Sequence, residues 1–111
     1  MDIEDLKIND VIKLQKLFSE SNNNHPYEIG KNYFIRTVTM IQIGKLVQVT
    51  DQELVLESAV WVPDTGRFMQ ALSEGTLEEV EPFPRDERVI IGRGSLVDAC
   101  VWKMDLPKEQ K

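Results

Sequence analysis

The chain reads GKLVQVTDQELVLESA over Gly44–Ala59 and VIIGRGSLVDA over Val89–Ala99. In the first stretch, aliphatic residues stand on both sides of Asp51-Gln52, which predicts two strands joined by a tight acidic turn. In the second stretch, aliphatic residues stand on both sides of Gly92-Arg93-Gly94, where the two glycines predict another turn. Each stretch therefore predicts the same local order of strand, turn and strand.

Two further elements are predicted before the first stretch. Residues 9–20 fit an amphipathic helix, because Val11, Leu14 and Phe18 recur at helical spacing and polar residues fill the other face. From Tyr33 onward the period changes to two, and β-branched and aromatic residues alternate as they do in a strand. Short strands without long crossovers indicate antiparallel pairing.

The region between the two stretches, residues 63–87, is predicted to be an acidic connector that carries one short helix. Pro63–Gly66 has the composition of a turn, and a helix is predicted over Arg67–Glu74. Thr76–Glu87 is expected to be exposed, because it is acidic and contains two prolines. After the second stretch, residues 105–111 are polar and are expected to fray.

Size and composition favour one small globular domain that spans residues 1–111. The net charge of −6 disfavours general affinity for nucleic acid, since such affinity comes mainly from Lys and Arg. The single cysteine, Cys100, cannot form an intrachain disulfide, and the acidic N-terminal residues do not resemble a signal peptide, so a cytoplasmic location is predicted. Because Cys100 lies in a predicted strand, we expect it to be a small core residue.

Taken together, these segments resemble the Sm-like (LSm) family. That family also has a short helix, three strands, a variable connector and two strands, with a glycine at the bend of the second strand and an acidic residue at the turn into the third. Gly44 and Asp51 match that pattern. Ile90–Val97 loosely matches the second family motif, which is an aliphatic strand, an Arg-Gly turn and another aliphatic strand.

The resemblance covers residues 32–104 and implies a mainly β fold. The implied fold is a small, bent, five-stranded antiparallel barrel of SH3-like type, with an N-terminal helix and a short helical insertion between the third and fourth strands. The resemblance also implies a homo-oligomeric ring. An open barrel leaves two unpaired strand edges, and pairing the edge of one copy with that of the next satisfies both.

The same resemblance implies a ligand site at the two turns, near the pore of the ring. The residues expected to contact single-stranded RNA or a nucleotide are Asp51, Gln52, Arg93 and Ser95. Arginine suits planar, bidentate recognition of such ligands. The other interpretation is that Arg93 is an exposed turn residue paired with an acid of a neighbouring subunit, and that Asp51 and Gln52 only form the turn.

Two functions remain open from the sequence. One is a non-enzymatic Sm-like ring that binds RNA or a nucleotide. The other is an oligomeric protein-binding or structural scaffold without nucleic-acid binding, which the acidic charge and the acidic connector favour. The string Gly92–Asp98 also resembles a segment of NAD-dependent 2-hydroxyacid dehydrogenases, but the GxGxxG that such enzymes need is missing. We therefore expect no catalytic residue, no metal site, no cofactor and no membrane partner.

Overall fold

The computed structural model describes residues 25–111, so the helix predicted at residues 9–20 lies outside the described part of the chain. The described residues form a mainly β protein with one antiparallel, six-stranded sheet. Its elements in chain order are β1 (Asn32–Thr37), β2 (Ile41–Val49), β3 (Glu53–Asp64), α1 (Phe68–Glu74), β4 (Glu79–Pro82), β5 (Arg88–Gly92), a 3₁₀ turn (Arg93–Ser95) and β6 (Leu96–Val101).

The long strand β3 organises the sheet. It pairs with β2 along one side, and the strand order continues from β2 through β1 to β6. Its other side is shared by two strands. β5 pairs with Glu53–Glu57 and β4 pairs with Val60–Asp64. The outer sides of β4, β5 and β6 are therefore the edges of the sheet.

The sheet must be strongly curved, because only the turn Arg93–Ser95 separates β5 from β6. These strands lie at opposite ends of the order β6-β1-β2-β3-β5. In a flat sheet, four spacings of about 4.8 Å would put them about 19 Å apart. A 3₁₀ turn rises only about 2 Å per residue, which amounts to about 8 Å between the two strands. Curvature brings the first and last strands of this order together at the turn.

Two separate hydrophobic clusters lie on the two faces of the curved sheet. The strand cluster is built from strand residues alone: Tyr33, Ile35, Leu46, Leu54, Leu56, Ala59 and Ile91. The helix-side cluster also includes residues from α1 and β4: Phe34, Ile43, Val60, Val62, Ala71, Leu77, Val80 and Trp102. Successive residues of a strand point to opposite faces. Because each face carries a cluster, strands such as β1 have apolar residues at consecutive positions.

A bulge at Ser58 lets β3 contribute to both clusters. In its first half, the even-numbered residues Leu54 and Leu56 belong to the strand cluster, whereas in its second half Val60 and Val62 belong to the helix-side cluster. The pairing register with β2 shifts between these halves, and Ser58 takes a left-handed conformation with φ of 52°. An extra residue in one strand reverses which face each later side chain occupies. The bulge thus divides β3 into two differently facing halves.

Gly44 in β2 lies directly against this bulge. A Cβ atom built on Gly44 would lie 3.1 Å from Leu56 Cβ and 3.2 Å from Ala59 Cα. Both contacts are tighter than ordinary van der Waals distances, and one of them is to backbone. The close approach of β2 and β3 at the bulge therefore favours glycine at this position.

Two expectations about residues of the sheet were wrong. The segment Thr76–Glu87 is not simply an exposed connector, because Leu77 and Val80 are buried and β4 adds a sixth strand to the five that were expected. The buried Val80 stands between exposed acidic residues, so the alternation of a strand is hidden by the charge. Cys100 is exposed and is not a core residue, because β6 is an edge strand that no further strand covers.

The substitution Gly44→Ala tests the close approach of β2 and β3. We expect it to lower the free energy of unfolding by about 1–3 kcal/mol, because the added methyl group must displace Leu56 or the β3 backbone. Gly92→Ala is the matched control, since a Cβ there meets nothing within 4 Å and should change stability by less than about 0.5 kcal/mol. Urea unfolding measures both. Equal stability of the two variants would contradict this packing.

Candidate functional site

The 3₁₀ turn Arg93–Ser95 joins two other turns of the sheet. The backbone N–H of Arg93 donates to the carbonyl oxygen of Gln52, in the β2–β3 turn, at 2.8 Å. The backbone N–H of Val38, in the β1–β2 turn, donates to the carbonyl oxygen of Ser95 at 2.9 Å. We call this arrangement of three turns the turn junction. It brings together the segments that carry all four residues expected from the sequence.

Thr50 shapes the β2–β3 turn from inside. Its Oγ1 accepts the backbone N–H of Glu53 at 2.9 Å and that of Gln52 at 3.3 Å. Its own backbone N–H donates to the carbonyl oxygen of Glu53 at 2.9 Å. This side-chain capping is typical of threonine in turns. As a result, the side chains of Asp51 and Gln52 are left exposed at the tip of the turn.

Arg93 lies across the turn junction and contacts both the β2–β3 turn and an aromatic ring. Its Nη1 donates to the carbonyl oxygen of Thr50 at 2.7 Å. Its guanidinium carbon lies 5.9 Å from the centroid of the Tyr27 ring, within the range of a cation–π contact. Tyr27 in turn packs edge-to-face on Tyr33, with ring centroids 5.7 Å apart. The side chain of Arg93 is therefore held in place by the protein before any ligand arrives.

Ser95 uses its hydroxyl group within the turn itself. Its Oγ donates to the carbonyl oxygen of Gly92 at 2.7 Å. Together with the carbonyl contact to Val38, this bond makes Ser95 a part of the scaffold of the turn junction.

The sequence patterns predicted the residues at the tips of these turns but not two residues that hold the Arg93 side chain in place. Thr50 and Tyr27 make the principal contacts to the Arg93 side chain. The threonine directly before an Asp-Gln turn is a usable signal, because Ser and Thr hydroxyl groups often cap turns. Tyr27 has no comparable signal, since its contact to Arg93 joins segments that are far apart in the chain.

The turn junction presents a small number of polar groups that are available for hydrogen bonding. An arginine guanidinium has five N–H donors, and the contact to Thr50 uses one of them. Asp51 and Gln52, which follow Thr50 in the chain, add an exposed carboxylate and an exposed amide to the same turn. Such a set can hydrogen-bond a phosphate, a base edge or a polar protein surface. Within residues 25–111, no group of three or more His, Cys, Asp and Glu side chains is placed to hold a metal ion.

Comparison with known proteins does not assign this arrangement to a family. No protein-family model matches the chain, and no curated protein or solved structure is significantly similar to it. Across the described part of the chain, no helix has the length and apolar character needed to cross a membrane.

The substitution Arg93→Ala tests how far the turn junction depends on this side chain. We expect it to lower the free energy of unfolding by about 1–2 kcal/mol, because a charged donor to the Thr50 carbonyl and the contact with Tyr27 are both lost.

Arg85→Ala is the matched control, because Arg85 is exposed in the loop after β4 and should change stability by less than about 0.5 kcal/mol. Chemical denaturation of both variants gives the difference. If Arg93→Ala were as harmless as the control, Arg93 would be a solvated turn residue and not a structural contact.

Proposed function

We propose that this chain is a non-enzymatic, Sm-like subunit that assembles into a closed homo-oligomeric ring. The single observation that carries the proposal is the curved sheet, in which β5 and β6 each have one edge that no other strand of residues 25–111 pairs with. The chain order of three strands, a connector and two strands is what the Sm-like resemblance implies, with α1 and β4 belonging to the connector. Gly44, the glycine that the resemblance assigns to the second strand, lies in β2 against the bulge of β3.

Exposed aliphatic side chains mark these two strands. Ile90 in β5 is 62% exposed, and Val97 in β6 is 60% exposed, with Val101 further along the same strand also exposed. Strand edges with exposed apolar residues are templates for pairing with another chain. Ile90 and Val97 lie on the two strands that meet at the turn junction.

The charged residues of these strands do not shield the edges. Arg88 in β5 pairs with Glu57 of β3 at 3.2 Å, and Asp98 in β6 pairs with Arg36 of β1. The Arg36 guanidinium holds the pKa of Asp98 below its usual value. Natural proteins commonly protect an edge with a free charge that repels a second strand. Here each of these charges is engaged with a neighbour in its own sheet, which leaves the edge available.

Pairing β5 of one copy with β6 of the next is a heterologous contact, because the two surfaces differ. Repetition of such a contact produces a ring when the rotation closes and a filament when it does not. A closed ring satisfies the β5 and β6 edges of every copy. In a ring, unlike a filament, the exposed Ile90 and Val97 side chains would be covered in every copy.

As the ligand of this ring we propose single-stranded RNA or a nucleotide held at the turn junction. The supporting observation is that Arg93 is oriented by Thr50 and Tyr27, and that Asp51 and Gln52, the next residues after Thr50, are exposed. A second candidate is a scaffold that binds protein and no nucleic acid. The net charge of −6 supports this candidate, since a phosphate backbone is repelled by an acidic surface.

The substitutions Ile90→Glu and Val97→Glu test the assembly. We expect each to weaken association by roughly 100-fold or more, because a carboxylate would be buried against an aliphatic strand edge. Met69→Glu is the matched control, since Met69 is also exposed, at 71%, but belongs to α1 and not to β5 or β6. Native mass spectrometry of all three variants at equal concentration measures the distribution of subunit number.

The same spectra distinguish the two ligand classes. A closed ring with a bound mass that nuclease removes supports RNA, and one with a nucleotide-sized mass that nuclease leaves supports a nucleotide. A ring without either mass supports the protein-binding scaffold. A wild-type chain that stays monomeric at every concentration would contradict the proposed assembly. Equal loss of assembly in the Met69→Glu control would show that the effect does not come from the β5 and β6 edges.

A further inference from the structure

The segment 105–111 lies along the edge of β4 and is not frayed as the sequence suggested. The backbone N–H of Val80 donates to the carbonyl oxygen of Lys111 at 3.2 Å, and the N–H of Lys111 donates back to the carbonyl oxygen of Val80 at 3.0 Å. Two residues that exchange both bonds in this way form the hydrogen-bonded pair of an antiparallel ladder. The edge of β4 is thus occupied by backbone from the same chain.

The first part of this segment is anchored more firmly than the last part. Nε1 of Trp102 donates to the carbonyl oxygen of Asp105 at 3.2 Å, and the side chain of Leu106 packs on the helix-side cluster. Beyond Leu106, the bonds to β4 are the Val80–Lys111 pair and a long contact of 3.5 Å from Gln110 Nε2 to Glu81 Oε1.

A groove of about 580 Å³ lies between this segment and the residues around β4, with Leu77, Val80, Leu106 and Pro107 among its lining. Space under the segment means that its last residues are held by backbone bonds more than by packing. Residues 108–111 are Lys-Glu-Gln-Lys, which are polar residues of the kind that natural proteins place on sheet edges to prevent pairing.

We propose that residues 105–111 act as an intramolecular cap on β4. The cap occupies the one sheet edge that is not used in the proposed ring, so that copies of the chain pair only through β5 and β6. Without it, the backbone groups of Val80 and the apolar groove beside them would accept an extended strand from a second copy. The restriction of assembly to β5 and β6 rests on the proposed function, whereas the capping of the β4 edge does not depend on it.

The substitution Lys111→Pro tests the cap without shortening the chain, because proline has no N–H to donate to Val80. Lys111→Ala is the matched control, since it keeps the backbone donor and removes only the side chain. A second variant, deletion of residues 109–111, leaves the Trp102 and Leu106 anchors in place. Hydrogen exchange at the Val80 amide and native mass spectrometry are measured for all of them.

We expect the Val80 amide to exchange at least about tenfold faster in Lys111→Pro and in the deletion than in Lys111→Ala. We also expect both variants to form additional, larger species that the control lacks. An unchanged exchange rate at Val80 would overturn the cap. Faster exchange without any new species would also overturn it, because the segment would then only pack against the domain. A wild-type chain that is monomeric would contradict the ring but not the cap. Larger species that form only in the uncapped variants would still show that the β4 edge can pair with a second copy.

Discussion

The bulge at Ser58 determines how β3 packs on both hydrophobic clusters and which strands it pairs with. After the bulge, the side chains of β3 alternate in the opposite sense, so one strand contributes to both hydrophobic clusters. The first half of β3 pairs with β5 and the second half pairs with β4. The close approach of Gly44 on the neighbouring strand follows from the same bulge. A left-handed serine is unfavourable by itself, so the burial on both faces of β3 must offset that cost.

Curvature of the sheet connects this packing to the candidate site. Because β5 and β6 are separated only by Arg93–Ser95, bending the sheet brings the three turns of the turn junction into contact. The same bending leaves β5 and β6 as edges with exposed Ile90 and Val97. The surface proposed for assembly and the site proposed for a ligand are thus adjacent consequences of one geometry. Capping of β4 by residues 105–111 would restrict pairing to the remaining edges.

Alternating and aliphatic patterns were sufficient to predict most strands, α1 and the turns around Asp51 and Arg93. They could not predict the bulge, because a single serine in an apolar run has no distinct local signature, and the strand continues on both sides of it. They also missed β4, where burial of Val80 depends on α1 and the helix-side cluster. At the site, the turn tips were predictable from local chemistry. The contact of Tyr27 with Arg93 was not, because long-range contacts leave no local pattern.

The most direct test of the account is hydrogen exchange of the β5 and β6 backbone amides as a function of protein concentration. If β5 of one copy pairs with β6 of the next, exchange should slow in both strands together as concentration rises. The exposed Gly66, in the segment before α1, serves as the internal reference and should exchange at a constant rate. If exchange in β5 and β6 were independent of concentration, in a chain that stays monomeric, assembly through these two edges would be contradicted.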